Sequence, residues 1–195
     1  MNNDIMHRRV GAVDTLWSAI LKIDDQISTA RLLSDLYTVE ELNHVLQKGH
    51  PTLTGLFAKC HEQFSVDTPM GGLVTSKDME VVRPFVSDRL WSLFFMIRAI
   101  YYRLGMLTAK SVDRKQYLEW RHDELIRKSL VKILPREIAV RVIENNASGF
   151  GSIICPNIEA IFLAEARLVL DGNLTGAPIE PVPETRVKVK GFGPK

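Results

Sequence analysis

The eighteen residues Leu90-Trp-Ser-Leu-Phe-Phe-Met-Ile-Arg98-Ala-Ile-Tyr-Tyr-Arg103-Leu-Gly-Met-Leu107 constrain this chain more than any other feature. The run approaches membrane-spanning length, yet Arg98 and Arg103 would each cost a few kcal/mol in hydrocarbon. Such a run satisfies its apolar surface by burial among amphipathic neighbours. It therefore predicts a central helix over about 85–107, inside a water-soluble all-α fold. Apolar residues make up 46% of the chain and charged residues 25%, ordinary globular values that exclude wholesale disorder and repetitive fibres.

The flanking segments supply the neighbours. Val13, Leu16, Ile20, Ile23, Ile27 and Ala30 recur at alternating spacings of 3 and 4, a heptad-like seam suited to lengthwise packing against another helix. The helical pattern runs from about Asp4 to Tyr37. Thr38 then reads as an N-cap, with Glu41 completing a capping box, for a helix Val39–Lys48 that Gly49 and Pro51 end. Another helix runs from Thr52 or Thr54 to Phe64, and Pro69, Gly71 and Gly72 mark a loop. Beyond the central helix, Ser111 is expected to cap a charged helix reaching Leu134. Pro135 can occupy the first turn of the helix that continues over 136–144. Residues 149–156 read as a loop with a short strand at most, and a last helix covers about 157–170.

From Gly172 the composition changes. Pro178, Pro181 and Pro183 alternate with Ile and Val, and Arg186, Lys188 and Lys190 follow. Prolines at this density favour an extended path. The expected organisation is a single helical bundle of six or seven helices over 1–171, with an extended, basic, Pro-rich tail over 172–195.

The N-terminal residues lack an apolar core of signal-peptide length. Cys60 and Cys155 share no metal spacing and read as buried reduced thiols, so a cytoplasmic protein is expected, with no membrane and no cofactor. Lys and Arg number 25 against 23 Asp and Glu, so capture of a partner by overall charge has no support. Charge is uneven, however. Residues 89–141 hold twelve basic side chains against five acidic. Arg98, Arg103, Arg114, Lys115, Arg121, Arg127, Lys128 and Lys132 are the candidate phosphate contacts, with Tyr101, Tyr102 and Trp120 placed to stack on bases. The competing account has these charges pairing internally.

Patterns that carry chemistry are few. Glu41-x-x-His44 and Glu119-x-x-His122 have the spacing that carboxylate di-metal bundles use, with Asp88 and Asp24 or Asp25 as possible supplements. Capping already explains Glu41. A half-buried Glu119 held by Arg98 or Arg103 is the simpler account of the second pair. His44, His50, Cys60 and His61 match no zinc spacing. The dipeptide His122-Asp123 resembles that of the helical HD phosphohydrolases, a likeness that would enlist His61 and Asp171 as further metal ligands. The run Ala30-Arg-Leu-Leu-Ser-Asp35-Leu-Tyr-Thr38-Val-Glu-Glu41-Leu-Asn-His-Val-Leu-Gln47 resembles the second and third helices of Trp-repressor-like regulators. Pro51, Pro69, Gly71 and Gly72 stand where a helix-turn-helix should follow, so the chain is not assigned to that family.

The reading is a non-catalytic interaction protein: an oligomer component, adaptor or structural subunit. Its expected contact residues are Val13, Leu16, Ile20, Ile23 and Ile27 of the seam, with Pro178, Pro181, Pro183, Arg186, Lys188 and Lys190 of the tail. A nucleic-acid-binding regulator and a metal-dependent hydrolase built around His122 are the alternatives.

Overall fold

A computed structural model of the chain describes residues 3–64, 79–144 and 149–180. Among these the structure is all helical, with eight α-helices and no strand. They are α1 (Asn3–Gln26), α2 (Ser28–Leu36), α3 (Val39–Lys48), α4 (Pro51–Phe64), α5 (Asp88–Arg114), α6 (Glu124–Ile133), α7 (Arg136–Glu144) and α8 (Cys155–Leu170). Short 3-10 turns lie at Arg83–Phe85 and Trp120–His122, and a π-helical turn at Phe150–Ile154 leads into α8. The loop expected around Pro69, Gly71 and Gly72 falls outside the described residues.

The long apolar run becomes α5, which Ser87 caps by accepting from the Leu90 amide at 3.0 Å. By length and composition this helix could cross a membrane, but 56% of the qualifying stretch is buried inside the protein. It packs against α1, α2, α4, α6 and α8. Leu90, Leu93, Phe94, Ile97, Ile100, Tyr101 and Leu104 fill the middle of the main core. Gly105 sets the approach of α4, since a Cβ there would stand 2.7–2.8 Å from the Phe64 ring.

The seam holds its period but faces inward. Leu16, Ile20, Ile23, Ile27 and Ala30 are buried and Val13 packs against the same core. The expectation that Val13, Leu16, Ile20, Ile23 and Ile27 form an external contact face is thereby corrected: this chain's own helices cover them. The single helix expected over 4–37 is two, separated at Ile27. The register survives because Ile27 N–H donates to the Ile23 carbonyl at 3.0 Å and Arg31 N–H to that of Ile27 at 2.9 Å. An Asp24–Arg31 ion pair bridges the joint.

Local signals place α3 as expected. The Thr38 hydroxyl accepts from the Glu41 amide at 3.2 Å, and the Glu41 carboxylate accepts from the Thr38 amide at 2.8 Å. Gly49 ends the helix with φ +81°, in the left-handed region that favours glycine.

Three expectations require correction. Ser111 caps no helix; it lies inside α5, where its hydroxyl donates to the Leu107 carbonyl and accepts from the Leu118 amide, each at 2.8 Å. The continuous helix expected over 111–134 is therefore the end of α5, an irregular stretch and the shorter α6. Residues 149–156 hold no strand: the amides of Ile153 and Ile154 both donate to the Gly149 carbonyl, and this turn merges with α8.

After α8 the described residues 173–180 are irregular and lie on the body. Ile179 N–H donates to the Ser92 hydroxyl at 2.8 Å, and the Lys132 ammonium donates to the Glu180 carbonyl at 2.7 Å. Pro178 is exposed. Pro181, Pro183, Arg186, Lys188 and Lys190 fall outside the described residues.

Candidate functional site

A cleft of about 650 Å³ opens between the α2–α3 turn and the segment joining α5 to α6. Its first wall arises because α2 ends at Leu36 and Tyr37 takes an extended conformation, turning the chain into the Thr38 cap. Its second wall begins at Lys115, whose φ of +51° lies in the left-handed region and ends α5. The Tyr117 amide then donates to Asn43 Oδ1 of α3 at 2.7 Å, drawing the segment across to the first wall. The Tyr117 ring packs with Leu33, Leu42, Val45, Leu53 and Phe57 in a second, smaller apolar cluster beneath the cleft.

Polar groups at the rim are held in different ways. Asp35 accepts from the amides of Gly151 and Ser152 at 3.0 Å, so its carboxylate caps the π-helical turn. A Cβ at Gly151 would meet Arg31 Cγ at 2.5 Å and Asp35 Oδ2 at 2.7 Å, so a larger residue there would displace those two side chains. Glu119 pairs with Arg121 at 2.8 Å, and Arg121 Nε donates to the Val142 carbonyl at 3.3 Å. The Arg121 guanidinium also lies 4.5 Å from the ring centroid of Trp120, which is buried against Phe150. Burial, with the Glu119 and Asp35 carboxylates nearby, raises the Tyr117 phenol above its ordinary range, so it stays protonated.

The structure corrects the expected partner of Glu119. Arg103 instead meets Asp123 at 2.8 Å, and Asp123 also accepts from the Ile126 amide at 3.1 Å to cap α6. Arg98 lies 5.9 Å from the centroid of the Phe95 ring, and its burial lowers the guanidinium pKa. The cause is geometric: residues 119–122 leave the helical path on which the pairing was argued and turn Glu119 toward Arg121.

The metal constellations do not assemble. His122 keeps 82% of its side chain in solvent, with Glu119 near it at 3.5 Å. Asp123 is committed to its cap and to Arg103. His61 pairs with Asp113 at 2.9 Å, Asp171 lies exposed at the end of α8, and Glu41 serves its capping box. Among the described residues no three His, Cys, Asp or Glu side chains stand close enough to hold a metal ion.

The eight candidate phosphate contacts divide. Arg103, Arg121, Lys128 and Lys132 have partners within the chain, Lys128 through Glu124 at 2.5 Å. Arg98 is half-buried, and Arg114, Lys115 and Arg127 are exposed. Sequence reasoning missed Asp35, Asn43 and Tyr117. Only the Thr38 capping box marked one wall; nothing local to the sequence joins residue 35 to 151, or 43 to 117.

No family model matches the chain, and neither does any curated protein or solved structure. Fold and site together define an all-helical protein with a polar, aromatic-floored cleft.

Proposed function

We propose that this chain is a non-catalytic interaction protein, a subunit or adaptor working through contacts with another polypeptide or a second copy of itself. One observation carries the reading: α8 is apolar on both sides. Its inner face buries Ile158, Phe162, Ala166 and Val169. Its outer face leaves Leu163 37% and Leu168 44% exposed, alongside exposed Ala160 and Ala164. These outer positions recur at i, i+3, i+4 and i+8, the spacing of a helix-packing stripe. Exposed apolar side chains gathered on one helix face, here with the exposed Arg167 among them, suit a contact site. The absorption of Glu119, Asp123 and His61 into internal pairs further supports contact over chemistry.

Light scattering on the full chain tests the reading, with Leu163→Glu and Leu168→Glu together as the comparison. The expected result is an assembly that falls to a monomer in the double variant while the helical circular dichroism spectrum stays unchanged. A wild-type monomer that recovers no protein partner in a pull-down overturns it. Should that monomer instead bind duplex DNA with a steep negative salt slope, the exposed Arg114, Lys115 and Arg127 would make it a phosphate-binding protein.

A further inference from the structure

We propose that residues 173–180 form a strap lying in a docking track for an extended polypeptide, and that a partner segment of the same pattern displaces it. The pattern is an apolar residue, a glycine two positions on, and a second apolar residue three positions beyond. This deepens the contact reading but rests on a different surface from the outer face of α8. After α8 the Asn173 amide donates to the Leu168 carbonyl at 2.8 Å and Gly172 takes φ +91°, so the chain turns back over α5 and α6. Gly176 lies against Arg89, where a Cβ would stand 2.9 Å from the arginine Cβ and 3.0 Å from its Cδ. Ile179 N–H donates to Ser92 Oγ at 2.8 Å, about one helical turn further along α5. Lys132 of α6 then donates to the Glu180 carbonyl at 2.7 Å. Leu174 and Ile179 pack on the main core.

These contacts are those of a bound peptide. Leu174, Gly176 and Ile179 are half-buried, while Asn173, Thr175, Ala177, Pro178 and Glu180 are exposed, close to the alternation of an extended chain pressed on a surface. Ser92 and Lys132 hold a backbone N–H and a backbone C=O, groups that nearly any sequence offers. The two apolar anchors and the glycine supply the selectivity. Pro178 restricts the backbone just before Ile179 and lowers the entropy lost on docking. No residue of 173–180 is fully buried, and the segment forms no helix or strand. Few buried apolar contacts and a solvent-exposed backbone put a segment at the low end of local stability, where it opens without global unfolding. The track itself does not depend on the strap. α5 and α6 pack on each other directly, and Ser87 and Asp123 cap their first turns.

Fluorescence-anisotropy titration of the full-length chain tests the track, with the labelled, amidated octapeptide of residues 173–180 as probe. Ile179→Asp in the chain releases the strap and leaves the track in place. It should bind the peptide at least tenfold more tightly than the wild type, whose own strap competes. A Gly176→Val peptide should bind at least tenfold more weakly, because its side chain meets the Arg89 stem. Adding Ser92→Ala to the released chain should weaken the unmodified peptide about fivefold, the worth of one hydrogen bond. Gly176→Val in the chain is a second release variant, for use if Ile179→Asp does not fold. Leu163→Glu with Leu168→Glu should leave peptide binding unchanged, so failure here and failure of assembly through α8 are told apart; binding that this pair abolishes belongs to α8 and overturns the proposal. So do no saturable binding to the released chain at millimolar peptide, equal affinity of wild-type and released chains, or equal affinity of the two peptides. Loss of the helical circular dichroism spectrum in both release variants would make the strap part of the folded core and equally overturn it.

Discussion

Cys60 and Cys155 show how burial sets chemistry at a single residue. Both thiols are buried, and burial pushes each up to about 11 from an ordinary value of 9.0. Cys155 lies beside the buried Tyr101 hydroxyl. A protonated, enclosed thiol is a poor nucleophile. Neither cysteine should react with a disulfide reagent at pH 8 in the folded protein, and both should react in denaturant; a native reaction at either contradicts the burial. The sign of the pH effect follows. The folded state holds these protons more tightly than the unfolded state, so the stability they contribute is complete below about pH 9. It is lost as pH rises toward about 11. Chemical denaturation between pH 8 and 10.5 should show stability falling, and the fall should shrink in Cys60→Ala relative to its own value at pH 8.

At the scale of elements, contacts depend on which side chains are missing as much as on those present. Gly105 lets α4 and α5 approach until the Phe64 ring occupies the space of a side chain. Gly105→Leu should cost about 3 kcal/mol, near the upper end of overpacking losses, measured as a lower denaturation midpoint. A midpoint equal to the wild type would mean that the two helices separate freely. Gly151 plays a related part beside Asp35, where the exposed amides of a π-helical turn need a carboxylate against the backbone. The legibility of these features differs. The capping box and Gly49 were readable because their partners lie within a few residues. Ser111 was misread because its hydroxyl serves Leu107 and Leu118, and a serine followed by charged residues resembles an N-cap in either setting.

Across the whole molecule, ion pairs tie α5 to the segments that follow it. Arg89 of α5 meets Glu165 of α8 at 2.5 Å, and Arg103 meets Asp123 ahead of α6. Asp123 is 8% exposed and serves α5 and α6 at once. Asp123→Ala removes the cap and leaves Arg103 without its carboxylate. The expected loss is about 2–3 kcal/mol, below that of a fully buried pair because Arg103 keeps about a third of its surface in water. Asp123→Asn, which preserves a cap, should recover part of it in the same denaturation assay. Equal losses in the two variants would show that only the charge matters.

The amino-acid order alone determined the all-helical class, the period of the 13–30 seam and the start and stop of α3. Each follows from periodicity or from hydrogen bonds spanning a few residues. Tertiary structure decided that the seam is covered from within, and that Asp35 reaches Gly151 while Asn43 reaches Tyr117. Pairs so distant along the chain meet only once the helices pack. Their partners are chosen by the angles at which α5 ends and α2 turns into α3, which no local pattern records.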